Sequence, residues 1–181
     1  AFALPTYQSA WLKTHHPAAF LAGLLTHDPG MYPKRLILDE ARQLGLTIWP
    51  IDVNKSDQFH RVEGVAGVAG VEGSGIRLAL TDLSGISGQE IQTILAGQPY
   101  LDLADFYRRS GASFPTTESL ILVGAFDELH SLGNNLNRRD LLLHLSELNM
   151  SPAAPLPGGQ LTFGFTLPAL IASGLPDLTK P

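Results

Sequence analysis

A short glycine-containing segment, Leu83-Ser84-Gly85-Ile86-Ser87-Gly88, is followed directly by a helix-forming run that starts at Gln89. Glycine reaches the positive φ angles that a tight turn needs and lets another backbone come close. The amides of Ser87, Gly88 and Gln89 would lie at the start of the new helix, where no intrahelical acceptor exists and the helix dipole favours an anion. The segment therefore predicts a phosphate-holding hairpin, with an ordinary glycine turn before a helix as the alternative.

This pattern is that of a helix-hairpin-helix, which holds a nucleic-acid phosphate without reading bases. A second glycine turn, Val123 to Asp127, follows later in the chain, and two such turns would grip two phosphates of one duplex. The alternative for this turn is a helix that simply stops at Gly124, with Phe126 in the core. We predict nucleic-acid contacts from both regions, at Ser84, Gly85, Ile86, Ser87, Gly88, Gln89, Gly124, Arg138 and Arg139.

The arginine pair Arg138-Arg139 is one of several basic groups that could meet phosphates, and each of them also fits a solvated helix face. The others are Lys13, Lys34, Arg35, Arg108 and Arg109. No catalytic or metal-binding set is apparent, because no two histidines have the helical spacing of zinc ligands. The pair Asp102 and Asp105 is explained by helix capping and by the helix dipole. We predict no catalytic residues and no metal ligands in this chain.

The segment near the end of the chain, Gln160-Leu161-Thr162-Phe163-Gly164-Phe165, offers a different kind of recognition. A glutamine followed by spaced apolar residues in a proline-flanked stretch suits docking into a hydrophobic groove on a partner. The contacts would come from Gln160, Leu161, Phe163 and Phe165. The alternative is a short strand, because Leu161, Phe163 and Phe165 alternate with period two.

The composition predicts a chain that mostly folds, with 181 residues of which 44% are hydrophobic and 16% charged. The net charge of −5, from 12 Lys and Arg against 17 Asp and Glu, argues against a free-standing, non-specific nucleic-acid binder. The absence of cysteine excludes disulfides and fits a cytoplasmic protein. We expect no membrane partner, no signal peptide and a chain cut from a longer protein, because it starts at Ala1 without a basic segment.

The pattern of apolar residues predicts a mainly α fold with a small β element. Helices are expected at 5–14, from Pro17, from Pro33 to Gly45, at 88–97, from Asp102 to Arg109, from Pro115 to Gly124 and at 138–148. Short strands are expected at Leu46–Trp49, Phe59–Glu63 and Ile76–Leu80, with a Val-Ala-Gly loop at 64–75. We predict three domains, at 1–80, 81–150 and, as a proline- and glycine-rich tail, 151–181.

Several of these segments, taken in order, resemble the bacterial C-family DNA polymerases, which comprise the polymerase III alpha subunit and its error-prone relatives. The matching segments are Tyr7 to Phe20, Asp52 to Ser56, Ile76 to Gly88, Leu122 to Asp127 and Arg138 to Leu142. Within the family, His15-His16-Pro17 and His27 to Pro33 are more similar to the error-prone, damage-inducible branch than to the replicative subunit. The resemblance implies that residues 1–80 end the fingers domain and that 81–150 form a tandem helix-hairpin-helix domain.

The resemblance also implies a parent enzyme that adds deoxynucleotides to a primer end with two Mg²⁺ ions, whose carboxylates lie outside this chain. The hairpins would then hold the backbone of the primer–template duplex. The alternatives are the same region of a replicative alpha subunit, or a module that recruits the sliding clamp or accessory mutasome proteins. Residues Gln160 to Phe165 occupy a place comparable to the clamp motif of replicative members, although Gly164 departs from the common pattern.

Overall fold

The computed structural model describes residues 2–28, 30–64, 74–130, 136–150 and 170–172. Within these ranges the chain has seven α-helices and one three-stranded sheet, which confirms a mainly α fold with a small β element. Contacts divide the chain into two compact units, residues 1–51 with 55–91 and residues 52–54 with 92–181. The three predicted domains stay a prediction.

The first unit contains three helices and the sheet. The helices are α1 (Ala3–His15), α2 (Pro17–His27) and α3 (Lys34–Gln43), and the strands are β1 (Thr47–Trp49), β2 (Arg61–Gly64) and β3 (Ser74–Arg77). The sheet order is β1-β3-β2, with β1 parallel and β2 antiparallel to β3. Its core joins one face of α2 and α3 to Ile76 at the centre of the sheet, through Ala18, Leu21, Ala22, Leu25, Ile37, Ala41 and Leu46.

Local signals in the sequence place most helix ends correctly. Pro17 occupies the first turn of α2, where its missing N–H would have had no acceptor. Gly45 follows α3 at a φ of +78°, the left-handed conformation that ends a helix. The α1 helix forms as expected, but none of its residues is buried and Tyr7 remains 67% exposed.

All three strand predictions were wrong in their limits, β1 only by one residue, because it begins at Thr47 rather than Leu46. Strand β3 ends at Arg77 instead of reaching Leu80, because Leu80 opens a 3-10 turn, Leu80–Asp82, and its N–H donates to Asp57 O at 2.9 Å. Strand β2 begins at Arg61 rather than Phe59, and the His60 side chain before it is buried among polar partners. The predicted Val-Ala-Gly loop at 64–75 was wrong at its ends, because Gly64 ends β2 and Ser74 and Gly75 begin β3, where the two strands pair. Residues 65–73 lie outside the described residues.

The second unit is built from helices α4 (Gly88–Gly97), α5 (Leu103–Arg109), α6 (Phe114–Val123) and α7 (Arg138–Met150), the first turn of α4 belonging to the first unit. Its aromatic core stacks edge to face, with ring centroids 4.8 Å apart for Tyr100 and Phe106 and 5.1 Å apart for Phe106 and Phe126. The predicted cap of α5 is confirmed, since the Asp102 side chain accepts from the Asp105 N–H at 2.7 Å. None of the described helices is long and apolar enough to cross a membrane.

Candidate nucleic-acid interface

The first hairpin, Leu83–Gly88, connects the 3-10 turn to α4. Leu83 is buried, and Ile91 in the first turn of α4 is buried as well, so apolar contacts hold both sides of the hairpin. Gly85 between them has a φ of +85°, a backbone conformation that other residues adopt only with strain. The predicted hairpin is therefore present, with its first helix reduced to one 3-10 turn.

The start of α4 carries a capping box that corrects one prediction. The Ser87 Oγ accepts from the Glu90 N–H at 3.2 Å, and the Ser87 N–H donates to the Glu90 carboxylate at 3.0 Å. This reciprocal pair is the Ser-x-x-Glu arrangement that satisfies two backbone donors at once. The Ser87 amide was predicted to point outward as a free donor, and in the structure it is already bonded.

The next two amides, of Gly88 and Gln89, have no acceptor among the described residues. They lie in the first turn of a ten-residue helix, where the dipole favours an anion. A Cβ added at Gly85 or at Gly88 would meet nothing within 4 Å. Gly88 lacks a positive φ, so its missing side chain serves access rather than conformation. The hairpin thus offers two backbone donors on an open surface.

The second turn, Val123 to Asp127, is filled by its own side chains. Gly124 has a φ of +87° and ends α6, as predicted. The Arg138 guanidinium donates to both carboxylate oxygens of Asp127, at 3.0 and 2.5 Å, and to Leu122 O at 2.9 Å. Its side chain is only 10% exposed. The phosphate contact of Arg138 stays a prediction, and its guanidinium already donates to acceptors inside the protein.

Arg139 differs from its neighbour. Its backbone N–H donates to the Asn137 side chain at 2.9 Å, while its guanidinium has no partner in the described part of the chain. Three other basic candidates are bound within the protein: Lys13 to Glu40, Lys34 to Asp82, and Arg109 to Asp105 and to the carbonyl groups of Gly97 and Pro99. Arg139 is therefore the better candidate of the arginine pair for a phosphate.

The first unit contains two sets of paired polar groups that the sequence did not reveal, one of them directly before the first hairpin. Asp82, directly before Leu83, is bonded to both Lys34 and His60. Arg77 on β3 donates two hydrogen bonds to Glu63, at 3.0 and 2.7 Å, and lies over the Trp49 ring. Their residue types are visible in the sequence, but their partners come from segments far apart in the chain, so spacing could not identify them.

No three side chains capable of holding a metal converge within the described ranges. The residues present there consequently do not fit the pair of Mg²⁺ ions that the resemblance to polymerases implies. The predicted partner-binding residues Gln160, Leu161, Phe163 and Phe165 lie outside the described residues, and their role stays a prediction.

The fold and the hairpin define a class of protein. A family model described as helix-hairpin-helix motif matches residues 45–141, just over half of the chain, and the chain belongs to that family. Curated relatives named error-prone DNA polymerase also match. The relative from Corynebacterium diphtheriae is 37% identical over 173 residues, which cover 95% of this chain and 15% of that protein.

Two further relatives carry the same name. The relative from Symbiobacterium thermophilum is 35% identical over 168 residues, or 82% of this chain, and the relative from Dechloromonas aromatica is 38% identical over 140 residues, or 75%. The resemblance to the error-prone branch of the polymerases is thereby confirmed. The chain spans 13 to 15% of the length of these three relatives.

Proposed function

We propose that this chain is the duplex-binding part of an error-prone DNA polymerase, and that its first hairpin holds the primer–template backbone without reading bases. The observation that carries the proposal is the pair of amides at Gly88 and Gln89, which have no acceptor among the described residues. Both lie at a helix start beside glycines with open space. Backbone amides in this position are well suited to a phosphate oxygen.

The electrostatics predict modest affinity. The chain carries more acidic than basic residues, and the Glu90 carboxylate lies at the same helix start as the two amides. Few cations are therefore available to release counterions from DNA. Binding by this chain should be weak at physiological salt and should fall as salt increases, as befits one contact among many in a larger polymerase.

For the whole protein, the proposal extends to DNA-templated nucleotidyl transfer in damage-tolerant synthesis in the cytoplasm. The names of the curated relatives support it. The Mg²⁺ ions of that reaction would be held by carboxylates in a part of a longer protein that this chain does not include. What this segment contributes is a grip on the duplex.

The decisive experiment replaces Gly88 with alanine. Because an added Cβ there meets nothing within 4 Å and the φ is not positive, Gly88→Ala should leave folding intact. The methyl group would instead obstruct a phosphate that approaches the two amides. We expect affinity for a fluorescein-labelled primer–template duplex at low salt to fall by roughly tenfold, equivalent to one charge-assisted hydrogen bond.

The matched control is Gly23→Ala, in α2. Gly23 is also a helical glycine whose added Cβ would meet nothing within 4 Å. The control should bind DNA as the parent chain does, and circular dichroism should show both variants folded. Equal affinities for the two variants would overturn the role of the hairpin, and an absence of DNA binding by the parent chain would overturn the proposed function itself.

A second function, recruitment of the sliding clamp or of accessory mutasome proteins, is favoured by the net charge of −5 and by the sequence Gln160 to Phe165. Docking of this segment into an apolar groove would depend on its two phenylalanines. Titration of the labelled chain with sliding clamp tests it. This function is supported if the chain binds the clamp saturably and if Phe163→Ala and Phe165→Ala abolish that binding. It is excluded if the chain does not bind the clamp, or if neither substitution affects binding.

A further inference from the structure

Asp82, the last residue of the 3-10 turn, lies immediately before the first hairpin and uses both of its carboxylate oxygens. Oδ1 accepts from Lys34 Nζ at 2.7 Å, and Oδ2 accepts from His60 Nε2 at 2.8 Å. The side chain is 18% exposed. Burial acts to raise the pKa of Asp82, but the hydrogen bonds from His60 and Lys34 outweigh it and hold that pKa below its usual value.

His60 carries the connection one step further. Its side chain is 1% exposed, and its Nδ1 lies 3.2 Å from the Thr26 hydroxyl oxygen. Because Nε2 faces a carboxylate, this nitrogen carries a proton and donates it, and Nδ1 shares a hydrogen bond with the Thr26 hydroxyl. Four side chains from separate segments thus form one Asp82 network, made of Thr26 on α2, Lys34 on α3, His60 before β2, and Asp82.

The hairpin needs support of this kind. A 3-10 turn has poorer hydrogen-bond geometry than an α-helix and is short, and a Cβ built on Gly85 meets no atom of the described residues within 4 Å beyond its chain neighbours. Backbone contacts help, since Leu80 N–H donates to Asp57 O and the Thr81 hydroxyl donates to Gln58 O at 3.0 Å. The Asp82 carboxylate directly precedes the hairpin and by itself would repel DNA, but the Lys34 ammonium balances its charge.

We propose that Asp82 is a positioning residue for DNA, which holds the first hairpin in its binding orientation through the Asp82 network without touching DNA itself. This inference rests on the proposed function of the hairpin. The proposal predicts a change in DNA affinity opposite in direction to the one that electrostatics alone would give. Removing a negative charge near DNA should strengthen binding by electrostatics alone, whereas releasing the hairpin should weaken it.

The test compares Asp82→Asn with Asp39→Asn in the 181-residue chain. Asp39 forms an exposed ion pair with Arg42 on α3, so both variants change the net charge equally. An asparagine at 82 keeps the shape but offers one carbonyl oxygen in place of two acceptors. We expect Asp82→Asn to weaken primer–template binding by about three- to thirtyfold, and Asp39→Asn to leave it equal or slightly stronger.

A second variant keeps the charge unchanged. Thr26→Val removes only the hydroxyl that shares a hydrogen bond with His60, and Thr14→Val in α1 removes a hydroxyl that donates to a backbone carbonyl, Ala10 O. We expect Thr26→Val to weaken binding by about two- to fivefold, with displaced NMR amide signals at Gly85 and Gly88. Thr14→Val should do neither. Affinities are measured well below the melting temperature of each variant, so that partial unfolding does not lower the apparent affinity.

Weaker binding by folded Asp82→Asn, or by Thr26→Val if the first variant fails to fold, supports the proposal. The proposal is overturned if folded Asp82→Asn binds DNA as well as or better than the parent chain. If Asp82→Asn does not fold, unchanged DNA binding by Thr26→Val overturns it instead. If the parent chain binds DNA and Gly88→Ala weakens that binding, such a result rejects the network alone and leaves the proposed function standing. A parent chain that binds no DNA removes both.

Discussion

The first hairpin and the second turn both place a glycine at positive φ, +85° at Gly85 and +87° at Gly124. Around Gly85 the space that a Cβ would take is open to 4 Å. Around Gly124 the same space is taken by the Arg138 guanidinium and by Asp127, whose Oδ2 would lie 2.8 Å from the added atom. One turn therefore leaves room for an external group, and the other is closed by the protein's own ion pair.

Two similar glycine turns in the sequence therefore have different surroundings in the structure. At the first hairpin, the Glu90 carboxylate bonds the Ser87 amide, and the amides of Gly88 and Gln89 are left without an acceptor among the described residues. At the second turn, Asp127 supplies the anion and Arg138 the cation, within one polar cluster that is mostly buried. We infer that the second turn stabilises its unit, whereas the first is the candidate site for DNA.

The largest expected effect is on the free energy of unfolding, which Gly124→Ala should lower more than Gly85→Ala. Gly124→Ala should cost about 1–2 kcal/mol for the left-handed backbone and roughly 1–3 kcal/mol more for overlap with Arg138 and Asp127. Gly85→Ala should cost only the backbone contribution, about 1–2 kcal/mol. Urea unfolding followed by circular dichroism measures both. Equal losses for the two variants would contradict the distinction between an open and a filled turn.

The sequence predicts those features of the fold that depend on neighbours in the chain. Pro17 starts a helix, Gly45 and Gly124 end helices, and Asp102 caps one, because each acts within a single turn of backbone. The limits of β3 were wrong because pairing with β1 and β2 sets them, and those partners are distant in sequence. A helix propensity is local, whereas a strand needs a neighbour.

The same reasoning explains the candidate site. The hairpin was predictable because its glycines and the following helix are contiguous. The bonded state of Arg138 was not, because Asp127, which accepts from it, is 11 residues away in the sequence and no local pattern pairs the two. The capping box at Ser87 was within reach of sequence analysis, since Ser-x-x-Glu is a local pattern.

Acid sensitivity should distinguish the two units next. Burial lowers the pKa of His130 and of His144 in the second unit, against smaller raising effects from Asp102 and Glu147. The His130 ring nitrogen Nε2 accepts from the Leu103 N–H at 3.2 Å, which requires the neutral form. As pH falls below about 6.5, the unfolded chain takes up protons first, so the free energy of unfolding of this unit should fall.

The two carboxyl groups of the first unit with a shifted pKa, Glu63 and Asp82, should respond at lower pH. Hydrogen bonds from Arg77 lower the pKa of Glu63, and Asp82 is shifted in the same direction, so the stability they contribute is lost as pH falls below about 4. Both tryptophans, Trp11 and Trp49, belong to this unit. The urea midpoint of their fluorescence should fall between pH 5 and pH 3, whereas the helix signal of the whole chain should already lose stability between pH 7 and pH 5. Equal fluorescence midpoints at pH 5 and pH 3 would refute the role of the two carboxyl groups, and His130→Gln should reduce the loss between pH 7 and pH 5.

The smallest expected effect concerns the two adjacent arginines. Arg139→Gln removes a guanidinium without a partner in the described ranges, so stability should change by less than about 0.5 kcal/mol. If Arg139 contacts one phosphate, DNA affinity should fall a few-fold and the slope of log affinity against log salt should decrease in magnitude by about 1.

Arg138→Gln should change stability rather than DNA binding, because the guanidinium of Arg138 donates to Asp127 and to Leu122 O. It should lower the urea midpoint and leave the salt slope of the folded chain unchanged. A reduced slope for Arg138→Gln would mean that DNA displaces Asp127 from the guanidinium, and the second turn would then be a binding site that opens only when its ligand arrives.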